Sequence, residues 1–255
     1  MIRKTIVVSL ALLGLSLAPT AGFADANAHG IQSAGEPVVR PGAKVLYRDA
    51  YCTMNFVFKG SDGNDYVGTA GHCPFQGNKE AVRRWKKGRG LEARDASGIR
   101  IGEFAFAARV KDDDIDFALI RLDRGVEANP EMEFFGGPTG LNDDITYGLE
   151  LINMYGHGLV FGDVKRDRQF LTPNGFDDKE SIFATGAASP GDSGAPVTTD
   201  EDEALGIFVE GGAALRIPES GPPYPGNTII VRLPHNIALA EDELDLRLRL
   251  VTVKV

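Results

Sequence analysis

Turn-forming residues interrupt this chain so often that few long elements fit between them. It carries 31 glycines and 14 prolines in 255 residues, and these two are the strongest local breakers of helix and strand. Between them recur short runs rich in β-branched and aromatic residues: 55–59, 99–110, 117–122, 151–155, 181–184, 205–209 and 228–232. Short runs bounded by Gly, Asp and Asn predict an all-β chain of antiparallel strands in a sandwich or barrel. The stretch from Val126 to Asp144, rich in proline, glycine and acid, reads as a connection between two comparable halves. Only the end differs. Ile237, Leu239 and Ala240 lie near helical spacing, which predicts one helix over about 234–244 and then a short strand. His235, near that helix start, reads as solvated or capping.

The N-terminus is a separate matter. Arg3 and Lys4 precede an apolar run from Ile6 to Leu17, and Ala24-Asp25-Ala26 and Ala26-Asn27-Ala28 both fit a small-residue cleavage signal. The run is shorter than the roughly 20 residues a membrane-spanning helix needs. Residues 1–26 are therefore read as a secretory signal peptide and excluded from the fold, with 27–44 a short pro-segment or flexible extension. A folded domain is expected over 45–255, and the protein is expected outside the cell. The formal net charge of −9 argues against nucleic acid or an anionic membrane as a partner, because both reward clustered positive charge. The one basic cluster, Arg83-Arg84-Trp85-Lys86-Lys87, is too brief to change that and reads as a solvated loop or strand edge.

Cys52 and Cys73 are the only cysteines. In an exported chain an even count favours a disulfide, and zinc is a weaker use without a C-x-x-C spacing. Asp112, Asp114, Asp116 and Asp123 invite a calcium reading, but the glycine that an EF-hand loop needs at its sixth position is replaced by Phe117. No metal and no cofactor are expected.

Three short stretches carry the candidate chemistry. Gly191-Asp192-Ser193-Gly194-Ala195 sets a serine between glycines, as a surface turn does, but also as a loop that must bend to expose a hydroxyl. Gly68-Thr-Ala-Gly-His72-Cys73 puts a histidine beside a cysteine, and Asp116 opens the apolar run Phe-Ala-Leu-Ile. A serine hydroxyl needs an adjacent base to act as a nucleophile, and histidine has a pKa near working pH, roughly 6.5.

Together these stretches resemble the trypsin-like serine peptidases of the chymotrypsin fold, in particular their secreted bacterial branch. T-A-G-H-C is similar to the segment that carries that family's histidine, D-F-A-L to the one with its aspartate, and G-D-S-G-A-P-V to the one with its serine. The order His72, Asp116, Ser193 is the family's order, and Cys52 matches the bridge partner of the cysteine after the histidine. The resemblance implies two antiparallel β-barrels, about 45–125 and 145–233, with the active site between them. His72, Asp116 and Ser193 would be catalytic, with Asp116 preferred to Asp114 because it directly precedes the apolar run. The N–H groups of Gly191 and Ser193 would form the oxyanion hole. Asp192 would hold the loop through an ion pair with a cation. A polypeptide would be the substrate, cut through an acyl-enzyme.

The departures concern substrate binding. No Ile-Val-Gly-Gly segment is present to supply a new N-terminus to Asp192. Val209 stands where the family usually has a serine, and Glu210 where an aromatic is common. The residue six before the serine, at the floor of the primary pocket in the family, is Ala187, followed by Ala188 and Ser189; Gly211 and Gly212 would form the opposite wall. With no carboxylate there, a preference for uncharged, mainly apolar side chains is expected. Two other readings are weighed: an inactive trypsin-like fold used as a binding module, and an α/β-hydrolase esterase. The second needs the order Ser, acid, His on a strand–serine–helix elbow, and only His235 follows Ser193.

Overall fold

The computed structural model describes residues 36–75, 79–133, 135–142, 151–158, 167–173, 181–186, 188–211 and 228–254. The signal-peptide stretch, Ala187 and Gly212 lie outside the described residues. The first half forms strands β1 (Lys44–Tyr47), β2 (Ala50–Thr53), β3 (Val57–Gly60), β4 (Asp65–Thr69), β5 (Ala81–Arg84), β6 (Glu92–Arg94), β7 (Arg100–Val110) and β8 (Ile115–Leu122). They curl into one antiparallel sheet in the order β3-β4-β8-β7-β6-β1-β2, with β5 also on β7. Strand β7 serves three partners because it is long: β6 and β5 take successive stretches of it, and β8 runs along it with a register shift between Phe104 and Phe106. The basic cluster is the exposed edge: β5 pairs only with β7 among the described strands, and Arg83 and Arg84 face solvent.

Strand β8 shows how sequence positions the site. Its residues are buried almost throughout, but on alternate faces, because side chains alternate across a strand. Ala118, Ile120 and Leu122 join the cluster of Val45, Val67 and Phe104 inside the first barrel. Ile115, Phe117 and Leu119 join the outer cluster with Phe58 and Phe106, Ile207 and Val231 of the second half, and Ile237 of the helix. Asp116 has the parity of the inner set, so its carboxylate lies at the end of the first barrel's core. The acidic turn before it is a single 3-10 turn, Lys111–Asp113, with Asp114 left-handed at φ 52°. Strands flank it where an EF-hand would have helices.

The second half closes into a six-stranded barrel in the order β10-β11-β14-β13-β12-β9. Its strands are β9 (Ile152–Gly156), β10 (Asp167–Pro173), β11 (Ser181–Thr185), β12 (Pro196–Thr198), β13 (Ala204–Gly211) and β14 (Thr228–Arg232). Ile152, Met154, Ile182, Leu205, Phe208 and Ile230 fill it. Strand β13 shifts register against β14 between Phe208 and Glu210, a bulge that re-aims Val209 and Glu210. The fold is thus the expected one: two β-barrels of the chymotrypsin type with a C-terminal helix.

Helix α1 (Leu233–Leu244) begins with proline in its first turn and ends at a left-handed Asp245. Leu233, Asn236, Ile237 and Ala240 are its buried positions, the i, i+3, i+4, i+7 stripe of a helix lying on a core. The final strand, β15 (Leu248–Leu250), returns to the first barrel and pairs with β3. Among the described residues no helix is long and apolar enough to cross a membrane.

Candidate active site

His72 sits in a tight turn directly after β4. Gly71 makes the turn possible: a Cβ there would lie 1.8 Å from the Ala108 carbonyl oxygen and 2.6 Å from the Phe117 nitrogen. The chain therefore presses onto the β7–β8 hairpin at the level of Asp116. Cys73 is bonded to Cys52 across 21 residues, which pins the far side of the turn to β2. The donor atoms of Cys52, His72 and Cys73 lie within 4.8 Å of one another, but the disulfide removes both thiolates that zinc would require.

His72 and Asp116 meet three ways. The His72 backbone N–H donates to Asp116 Oδ1 at 2.7 Å, and ring Nδ1 stands 2.9 Å from Oδ2 and 3.1 Å from Oδ1. An ionised carboxylate only accepts, so Nδ1 carries the proton and Nε2 is left with a lone pair. Asp116 is itself held. Its N–H donates to Asn236 Oδ1 at 3.1 Å, and the Asn236 amide donates to the Arg232 carbonyl at 2.9 Å. Arg109, opposite Asp116 in the β7–β8 register, brings Nε to 3.8 Å from Oδ2. Asp114, the competing aspartate, caps the 3-10 turn, and its carbonyl accepts from the Asn236 amide at 3.4 Å.

Ser193 comes from the second barrel, on a loop docked against the strands that carry His72. Thr53 N–H donates to the Ser193 carbonyl at 2.8 Å, and the Thr53 hydroxyl donates to the Gly191 carbonyl at 2.7 Å. Gly194, at φ +92°, lies so close that a Cβ would stand 2.4 Å from both Thr53 O and Thr69 Oγ1 and 2.8 Å from Ala70 N. The serine loop is thereby clamped two residues from His72 along the chain. Gly191 has φ +105°, a conformation that glycine adopts at little cost. Among the described residues neither the Gly191 nor the Ser193 N–H is taken by a backbone acceptor.

The ion pair expected for Asp192 is not seen among the described residues. Asp192 is fully buried, and among the described residues no cation bonds to its carboxylate. Backbone groups do so instead: Ser189 N–H donates at 2.9 Å and its hydroxyl at 3.3 Å, with the N–H groups of Gly158 and His157 adding to them. Burial outweighs these bonds and pushes the Asp192 pKa up. Gly156 and Gly158 admit the carboxylate, since a Cβ at either would lie within 2.3 Å of an Asp192 oxygen. Among the described residues, neutral N–H and hydroxyl donors stand where a cation was expected.

The surface beside His72 is a recess lined by Arg109, Lys111, Val209 and Glu210. Gly211 stands on its strand so near Ala188 and Phe208 that a Cβ would meet them at 2.8 and 2.9 Å.

The sequence model of the family described as Trypsin matches residues 61–221, a span that holds His72, Asp116 and Ser193. The chain belongs to the trypsin family. It is a serine-type endopeptidase, and its substrates are polypeptides. Solved structures agree on the fold. Protease A of Thermobifida fusca superposes with a TM-score of 0.54 at 18% identity, covering 85% of this chain and 100% of its own. Cellulomonas bogoriensis chymotrypsin gives 0.51 at 18% identity, with 84% and 99% covered. Nocardiopsis protease gives 0.50 at 16% identity, with 83% and 98% covered. No curated protein sequence matches the chain. Within this trypsin-family fold, sequence reasoning missed Arg109, Asn236, Thr53 and the Gly156–Gly158 pair. Only Arg109 had a readable signal, because aligning the β7–β8 hairpin about its acidic turn sets it opposite Asp116.

Proposed function

We propose that this endopeptidase works through Ser193 as nucleophile, His72 as general base and then acid, and Asp116 as the anion that orients and stabilises the imidazolium. The observation that carries the reading is the Nδ1–Asp116 contact at 2.9 Å, beside the turn against which Thr53 and Gly194 clamp the serine loop. His72 Nε2 takes the hydroxyl proton as Ser193 Oγ attacks the scissile carbonyl carbon. The oxygen, now negative, is met by the N–H groups of Gly191 and Ser193, and each such donor is typically worth ~3–4 kcal/mol of barrier. The C–N bond then breaks, Nε2 passes its proton to the leaving amine, and the acyl group stays on Ser193. Water, deprotonated by the same nitrogen, releases it.

The preferred side chain on the acyl side of the cut is uncharged and mainly apolar. Ala187, Ala188 and Ser189 bring no carboxylate, and a cation buried without one is costly to desolvate. The Asp192 carboxylate is engaged by Ser189, and Glu210 shares its recess with the cations Arg109 and Lys111. In this reading residues 1–26 are a cleaved leader and the enzyme acts outside the cell, which the Cys52–Cys73 disulfide supports.

The test is a set of chromogenic peptides that differ only at the residue before the cut. Leu, Phe and Met substrates are expected to show the higher kcat/KM. Faster cleavage after Arg or Lys would overturn the pocket assignment and leave the triad standing.

A further inference from the structure

Arg109 is the one described cation in contact with the Asp116 carboxylate. It approaches the same oxygen, Oδ2, that His72 Nδ1 approaches: 3.8 Å from Arg109 Nε and 2.9 Å from Nδ1. Neither partner is open to water, with the Arg109 side chain 12% and the Asp116 side chain 10% exposed. Solvent screening that makes surface pairs weak is therefore reduced here. The placement is built into the fold: Arg109 and Asp116 are cross-strand partners in the β7–β8 hairpin, whose turn is fixed by the left-handed Asp114.

Resting on the catalytic reading above, we propose that Arg109 is a positioning residue that shares the Asp116 carboxylate with His72 and so sets how far into acid the imidazole stays an unprotonated base. Two effects act in one direction. The guanidinium draws on the negative charge that would otherwise stabilise the imidazolium, and as a neighbouring positive charge it disfavours protonation of His72 directly. The other charged groups at this place oppose one another. Lys111, from the turn after β7, and Glu210, from β13, line the recess with His72 and Arg109. Asp114 lines the adjoining one, which Asp116 also reaches. From α1, His235 is engaged with the Asp113 carbonyl at 3.0 Å and the neutral Asn236 with the Asp116 N–H. Glu80, before β5, accepts the Lys111 N–H. Of these described charged groups, Arg109 is the one that joins His72 at the carboxylate itself.

The experiment measures kcat/KM against pH for the wild type, R109Q, R109M and R109K with one neutral peptide substrate. Thermal melts of each variant establish that it is folded. Both neutral variants are expected to move the acid limb upward by about half a unit to one unit, and R109K to stay near the wild type. A second readout does not need activity: the His72 ring-proton resonance, titrated by NMR in an S193A background with and without R109Q, moves the same way. Acid limbs and titration curves of R109Q and R109M that superimpose on the wild type would overturn the proposal. A failure of the catalytic reading is distinguishable, because S193A would then retain activity while the NMR titration still reported the influence of Arg109.

Discussion

Asp192 is buried, and among the described residues the groups that bond its carboxylate are neutral: the N–H and hydroxyl of Ser189. Burial raises its pKa, and the N–H and hydroxyl of Ser189 with the N–H groups of Gly158 and His157 only partly offset that rise. A carboxyl whose native pKa lies above its unfolded value binds more protons folded than unfolded, so its contribution is full below the ordinary carboxylate range, roughly 3.9, and is lost as pH rises through the native value. D192N removes this dependence. The stability of the wild type relative to D192N, from urea melts, is expected to decline as pH rises through that window, and a difference constant with pH would contradict the account. The glycines here answer to specific neighbours: Gly194 to Thr53 and Thr69, and Gly156 and Gly158 to Asp192 itself. In the sequence, G-D-S-G made the bend legible. It could not show that the backbone of Gly158 and His157 would lie at the Asp192 carboxylate, because they are more than thirty residues away in the chain.

At the scale of elements, the runs that read as strands were those with several β-branched or aromatic residues in succession. Thr228–Arg232 was legible to its ends, and β7 to within a residue. Strands β5, β6 and β12, of three or four residues, were not, since so short a segment carries no periodicity and is held by its partners. The helix was legible because Ile237 and Ala240 mark a face, but not that its Asn236 would reach Asp116. The disulfide belongs to this scale, tying β2 to the turn that carries His72. Protein recovered from the culture medium is expected to begin just after Ala26 and to show no titratable thiol under denaturing, non-reducing conditions. Removing the bridge in C52A/C73A should cost ~3 kcal/mol by the chain-entropy argument, and lower activity with it. Two free thiols in the native protein would dispose of the brace.

For the whole molecule, the arrangement of the barrels makes the site. His72 and Asp116 are fixed within the first barrel by the β4 turn and the β7–β8 hairpin, Ser193 arrives from the second, and Thr53 joins them. The chain then crosses back. Helix α1 leaves β14, buries Ile237 and Ala240 in a cluster that also contains Phe58, Phe117 and Ile207, and β15 completes the first sheet beside β3. That return was not legible, because a three-residue strand does not name its partner. The two-barrel plan was, because three motifs occur in one order. The central claim is that Ser193 is the nucleophile activated by His72. The most direct measurement is labelling with a fluorophosphonate followed by mass mapping of the adduct. One adduct per chain on Ser193 is expected, with loss of peptidase activity in step, and labelling nearly abolished in H72A and S193A. An adduct on another residue, or near-normal turnover in folded S193A, would contradict the claim.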